Sequence, residues 1–208
     1  MIQKEKVLQT VANICKGGQS LSSCIVAMNG IDDTLYHHDG TLINGISDGS
    51  YRYAGASEAV NNYICLGSTE SPCPDANLFR IIGVFGDQVK VIRAKSIGNM
   101  QWNIITSNTW STSSLNTYLN GEYLTSLGTL SEKIVTTTWK VGGNTFAKIR
   151  DVVPATAYAN EINNPDASNS TDNATEYSAK IGLMYVSDYG FAADPSAWTT
   201  TLNNYGGS

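Results

Sequence analysis

The stretch "LFRIIGVFGDQVKVIRAKSI", residues 78–97, sets two β-rich runs on either side of Gly86-Asp87, a two-residue hairpin turn. Pairing outward from that turn puts Val84 opposite Val89, Ile82 opposite Val91 and Arg80 opposite Arg93. The other face carries Ile81 opposite Ile92 and Phe79 opposite Ala94. Both faces read as apolar, which predicts a hairpin at the centre of the fold and covered on both sides. Arg80 and Arg93, facing each other as like charges, then call for a carboxylate or a bound anion between them. Asp188 and Asp151 are the first partners to check.

Outward from the hairpin, "YRYAG" and "NNYICLG" read as short strands on its N-terminal side. On its C-terminal side, Ser111 or Ser113 can cap a helix bearing Leu115, Tyr118, Leu119, Tyr123 and Leu127 on one stripe, ending at Gly128. "EKIVTTTWKVGG" is the next strand, and "AKIGLMYVSD" the closing one, with "KIGLMYV" apolar enough to need cover on both faces. Near the start, Val7, Leu8, Val11, Ile14 and Cys15 share one helical face that stops at Gly17-Gly18. A second stripe of Leu21, Cys24, Ile25 and Met28 ends at Gly30. Residues 30–50 are turn-rich and read as an irregular connection. The organisation predicted is α+β: a helical N-terminal segment and connection over 1–49, then a domain over 50–208 with a central antiparallel hairpin and one main flanking helix.

Composition narrows the function classes. The 208 residues carry 13 Lys+Arg against 18 Asp+Glu, a net charge of −5 with no basic cluster among aromatics, which argues against nucleic acid as a partner. No apolar run approaches the length of a membrane span. Only 15% of residues are charged, while Ser, Thr, Asn, Gly and Tyr are abundant, a balance common in secreted and surface proteins. No signal peptide is legible after Met1, because Lys4, Glu5 and Lys6 precede any apolar run. The four cysteines allow three connectivities, and their spacing favours local pairs, Cys15–Cys24 and Cys65–Cys73. Each pair would close a short loop and contribute on the order of 2–3 kcal/mol. A four-cysteine zinc site usually shows CxxC knuckles, which are missing.

The order "FRIIGV", hairpin, "WSTSSLNTYLN", then "KIGLMYVSDYGFA" resembles a widespread group of uncharacterised bacterial surface proteins, abundant in Gram-positive gut bacteria. "YRYAG", "NNYICLGS" and "CPDANLFRIIGVF" resemble the same group, so the likeness spans roughly residues 50–198. It implies a fold related to C-type lectins and to the formylglycine-generating enzyme. It also implies further core strands after "PSAW", ending near an Arg-Pro motif. Since only "TTTLNNYGGS" follows Trp198, the N-terminal helices or a second chain added by strand pairing are expected to cover the closing strand.

Catalytic constellations are hard to find. His37 and His38 are adjacent, so they do not naturally face one site, and no G-x-S-x-G elbow accompanies them. With Asp32, Asp33 and Asp39 they make at best a weak metal candidate, and a solvated turn capped by carboxylates accounts for them better. No cysteine follows Cys73, which removes oxidase chemistry of the formylglycine type. "KVGGN" lacks the phosphate-binding spacings. A glycan hydrolase with two carboxylates stays open, because their separation is invisible in sequence. The 163–176 segment, with Asp166, Asp172 and Glu176, lacks the pattern of an EF-hand loop and reads as an exposed polar loop. Recognition remains, with Trp102, Asn103, Trp110, Asp188 and Tyr189 as the candidate ligand-binding residues. Trp139 and Trp198 read as core or lid aromatics. The function expected is non-enzymatic adhesion, or recognition of a glycan or protein ligand, at an extracellular or cell-surface location, with no metal or cofactor. The alternative is a self-associating subunit of a surface filament or phage particle.

Overall fold

A computed structural model describes Cys15 and residues 17–144, 149–164 and 175–204. The apolar stripe at Val7, Leu8, Val11 and Ile14, and the loop carboxylates Asp166 and Asp172, lie outside these residues. Helix α1 (Leu21–Val26) starts where the Ser20 hydroxyl accepts the Ser23 N–H, and it buries Cys24 and Ile25. The strands β1 (Leu35–Asp39), β2 (Ser47–Tyr53), β3 (Tyr63–Cys65), β4 (Leu78–Phe85) and β5 (Gln88–Arg93) follow. All five belong to one antiparallel sheet.

Strand β4 is the spine of that sheet. Its C-terminal half pairs with β2 (Arg52 opposite Gly83), its N-terminal half with β3 (Ile64 opposite Phe79), and β5 runs along its other edge. Gly83 is required at the β2 crossing, where a Cβ would stand 2.3 Å from the Tyr51 carbonyl oxygen. One face of β4 sends Phe79, Ile81 and Val84 into a core with Ile25, Met28, Leu35, Tyr53, Val60 and Ile64.

The hairpin register departs from the expected one. Val84 does oppose Val89, and the turn does fall at Gly86-Asp87 with Gly86 at φ +62°. Between Ile81 and Gly83, however, the ladder shifts and Ile82 is the extra residue. Everything N-terminal of that bulge slides by one. Ile81 therefore meets Val91, Arg80 meets Ile92, and Phe79 meets Arg93. The two arginines point to opposite faces and do not form a pair. Nor is the hairpin covered on both sides: Ile82 is half-buried and Ile92 is 39% exposed.

Residues 30–50 are more ordered than their turn-rich composition implies. They contain all of β1 and the start of β2, so position 49/50 falls inside a strand of the main sheet. β1 was masked by its polar face. His37 stacks on Tyr51 across the ladder at 4.1 Å, while Leu35 and His38 turn inward.

Helix α2 follows its sequence closely. Buried Ser113 caps it by accepting the Asn116 N–H. It runs through Ser114–Tyr118, a π turn at Leu119–Tyr123 and Leu124–Ser126, and stops at Gly128, φ +58°. Leu119 is buried, and Leu115, Tyr118, Tyr123 and Leu127 are half-buried beside it. Strand β6 (Thr137–Lys140), helix α3 (Pro154–Asn163), strand β7 (Glu176–Ala179) and helix α4 (Val186–Phe191) complete the chain order. β6 and β7 form a separate two-stranded sheet, and α3 packs on α4.

The expected closing strand is displaced. β7 ends at Ala179, and "IGLMY" has no ladder. The Asn120 side chain takes both backbone groups of Ile181, accepting its N–H at 3.0 Å and donating to its carbonyl at 2.9 Å. The Trp139 ring lies so close to Gly182 that a Cβ there would be 2.3 Å away. These contacts replace strand pairing, and Leu183 and Met184 remain 41% and 45% exposed.

Both local disulfides, Cys15–Cys24 and Cys65–Cys73, are formed. Among the described residues no helix is long and apolar enough to cross a membrane. The disulfides fit an extracellular protein.

Candidate functional site

Three of the five candidate ligand residues come together. After β5 the chain runs out through residues 97–105 and returns to the start of α2. Trp102 is tied there through its carbonyl, which accepts the Leu115 N–H (3.1 Å), and through its indole N–H, which donates to the Ser107 carbonyl (3.2 Å). Ser114 Oγ accepts the Ile104 N–H and donates to Asn103 Oδ1. Trp110 lies beneath, buried, its ring centroid 5.5 Å from that of Trp102. Buried Asn103 Nδ2 has no hydrogen-bond partner among the described residues. Trp102 keeps 37% of its surface open, and Ile97, Met100, Ile104 and Ile105 are exposed in the same segment, Ile104 at 79%. Trp110 is thus the buried support of this surface and Trp102 its exposed indole.

Asp188 and Tyr189 are not part of it. Both sit on α4, where Tyr189 is exposed and Asp188 is 3% exposed at the centre of a buried charge cluster. Asp188 Oδ1 accepts from Arg52 Nη1 (3.3 Å), and Oδ2 takes the Lys90 ammonium and the Tyr185 N–H. Arg52, itself 3% exposed, also donates to Asp48 Oδ2 and Ser50 Oγ. The Lys90 Nζ lies 3.9 Å from the Tyr185 ring centroid, with Phe85 and Trp139 farther out. Burial pushes the Lys90 ammonium down, and Asp188 pulls it back toward its charged form. Asp188 therefore joins β2, β5 and α4, and every one of its acceptor positions described above is turned inward.

Next to it, Glu161 of α3 accepts the Ser187 N–H (3.0 Å), the Ser187 hydroxyl and an Asn144 amide hydrogen. Burial holds its carboxyl above the usual range. Glu161 and Asp188 are both buried, and the bonds above engage each of them internally. Arg52, Lys90, Asp48 and Glu161 escaped the sequence reading because Asp188 lies 136 positions from Arg52 and 98 from Lys90. The one available signal was Arg52 itself, an inward charge in the alternation "YRYAG".

The histidines separate, one to each side of β1. His38 is 0% exposed, flanked by Phe191 (4.9 Å) and Trp198 (5.2 Å), with Nδ1 accepting the Ile46 N–H. Burial, reinforced by the nearby Arg52 and opposed by Asp48, lowers its pKa to about 4. The fold therefore holds neutral imidazole, and the unfolded chain binds the extra proton between about pH 6.5 and 4. Stability from this residue is full above 6.5 and is lost as pH falls, by about 2 kcal/mol between pH 7 and 4.5. Glu161 acts in the opposite sense, because its raised pKa favours the fold as it protonates. Urea titrations at the two pH values should show a His38→Gln variant losing about 2 kcal/mol less than the native chain. An equal loss in both would refute the assignment. Asp32 and Asp39 cap turns, each accepting N–H and hydroxyl hydrogens two residues on, from Thr34 and Thr41. Among the described residues no three His, Cys, Asp or Glu side chains gather as a metal site.

The expected arginine pair resolves into two unrelated residues. Arg93 Nη2 reaches the Asp75 carbonyl, and its Nε has no hydrogen-bond partner among the described residues. Arg80 Nε donates to Asn62 Oδ1 (2.9 Å) and Nη1 to Ser57 Oγ (2.7 Å), over the Tyr63 ring at 5.0 Å. Arg80 lines a cleft with Arg52, Asp188, Ile82, Ile92 and Met184, among others. Comparison of the chain with protein-family models, with curated proteins and with solved structures finds no match.

Proposed function

We propose that this is an extracytoplasmic recognition protein with a C-type-lectin-like arrangement, adhering to a glycan or protein ligand through the 97–105 segment. The observation that carries the reading is the exposure of Trp102 with Ile97, Met100, Ile104 and Ile105 on a segment pinned to the head of α2. Exposed apolar groups on a fastened backbone mark interaction surfaces, and pre-ordering lowers the entropy that binding costs. An indole face stacks on sugar rings or fills a protein pocket equally well.

An array of glycans and of surface and matrix proteins tests this. The native chain should give reproducible binding, and Trp102→Ala should weaken it about tenfold or more, the effect of losing one anchor residue. Trp102→Ala also removes the indole's bond to the Ser107 carbonyl and its contact with Trp110, so a modest fall in melting temperature is expected and binding is read well below it. Trp110→Ala is the wrong variant, because Trp110 is core. Silence across the array, or native binding by Trp102→Ala, contradicts the reading.

A second reading, self-association into a filament or particle, is favoured by the exposed Leu183 and Met184. A concentration-dependent mass lost on Leu183→Ser with Met184→Ser would support it, and a concentration-independent monomer would remove it.

A further inference from the structure

We propose that the cleft beside β4 and β5 binds a small carboxylate carrying a branched apolar group, with Arg80 as its anchor. Arg80 is held rigidly by neutral partners. Asn62, which fixes its Nε, is itself buried and locked to Ile81, donating to the Ile81 carbonyl at 2.8 Å and accepting the Ile81 N–H on its own carbonyl at 2.7 Å. Ser57 fixes Nη1, and the Tyr63 ring supports the guanidinium plane. Of the five N–H donors a guanidinium carries, two are used here, which leaves three. Among the described residues no Asp or Glu pairs with Arg80, whereas Arg52 has two such partners. A guanidinium fixed in place with donors to spare and no counter-ion is ready to receive a carboxylate across its fork.

The cleft supplies the rest of the specificity. It encloses about 240 Å³, smaller than the ~300 Å³ at which drug-sized ligands begin to fit. Ile82, Ile92, Met184 and Phe191 form apolar walls. Its charged lining is Arg52, Arg80 and Asp188, a net of +1 in a chain of −5. Asp188 is already engaged by Arg52 and Lys90, so it presents little repulsion to an incoming anion. Inorganic phosphate would satisfy the arginine and waste the walls. An aliphatic carboxylate uses both. That chemistry has two sources: the C-terminal residue of a peptide, and a free branched-chain acid. The cleft shares no lining residue with the 97–105 segment, so this proposal and the preceding one fail independently.

Titration of the full chain, followed through the Met184 methyl resonance and by calorimetry, tests it. The probes are N-acetyl-glycyl-leucine, its C-terminal amide, 4-methylpentanoate and inorganic phosphate. Saturable binding of a carboxylate is expected, with the amide and phosphate weaker by about tenfold or more, the value of a charge-assisted pair. Preference for the dipeptide identifies a peptide terminus as the ligand, and preference for 4-methylpentanoate a free acid. Arg80→Gln should abolish binding, Arg80→Lys should restore part of it, and Arg93→Gln should leave it unchanged. Equal binding of acid and amide, an unmoved Met184 resonance, or unchanged affinity in Arg80→Gln would overturn the proposal. So would no saturation by either carboxylate.

Discussion

Asp188→Ala is expected to cost about 3–5 kcal/mol of folding stability, the range for breaking a buried ion pair by removing one partner. For a chain of this size that corresponds to a fall in melting temperature of about 10 °C. The loss is large because one carboxylate serves two cations. Arg52 would keep Asp48, but Lys90 would be left among Tyr185, Trp139 and Phe85 with no ion-pair partner among the described residues. The Tyr185 N–H that opens α4 would lose its acceptor as well. Asp188→Asn keeps oxygen and shape without the charge and should fall between native and alanine. Thermal and urea unfolding followed by circular dichroism measure both. A loss below about 1 kcal/mol for Asp188→Ala would mean that water reaches the cluster and screens it.

Trp198→Ala is expected to be as damaging, about 3–5 kcal/mol, through a large-to-small change at a fully buried site. Trp198 is 0% exposed and meets Phe191 edge-on at 5.2 Å, Tyr36 at 5.8 Å and His38 at 5.2 Å. Its indole N–H also satisfies the Ala193 carbonyl. It packs with Phe191 between β1 and the end of α4, so removing it opens a cavity between those elements. Trp198→Phe should retain much of the packing and lose the hydrogen bond, costing less. Because Phe191 and Asp188 share α4, the double variant with Asp188→Ala should fall short of the sum of the two losses. Strict additivity would show that the cluster and this core are energetically separate.

The sequence makes local signals legible and long-range ones obscure. Gly86-Asp87 marks the hairpin turn, Ser113 and Gly128 bracket α2, and the cysteine spacing matches both bridges, because each is written within about fifteen residues. The Ile82 bulge has no such signature. It arises where β4 changes partners from β2 to β3, and it alone turns Arg80 from a mate of Arg93 into a wall of the cleft. β1 is hidden because its outward positions are polar, and the closing strand stops short of its expected length because Asn120, sixty-one positions earlier, occupies the Ile181 backbone. Of the candidate site, Trp102, Asn103 and Trp110 were legible as neighbours in one polar loop. Which indole faces solvent was not, since periodicity is undefined in an irregular segment. Asp188 stands beside aromatics in the sequence, but its partners come from other elements of the fold, and only the folded chain identifies it as structural.

We propose a division of labour in which Asp188 holds the fold and Trp102 meets the ligand. The most direct test is one array experiment run with the native chain, Trp102→Ala and Asp188→Asn in parallel, well below each melting temperature. Trp102→Ala is expected to lose about tenfold or more of the binding while remaining folded, whereas Asp188→Asn melts earlier and binds as the native chain does. Loss of binding in folded Asp188→Asn, with Trp102→Ala binding normally, would contradict it.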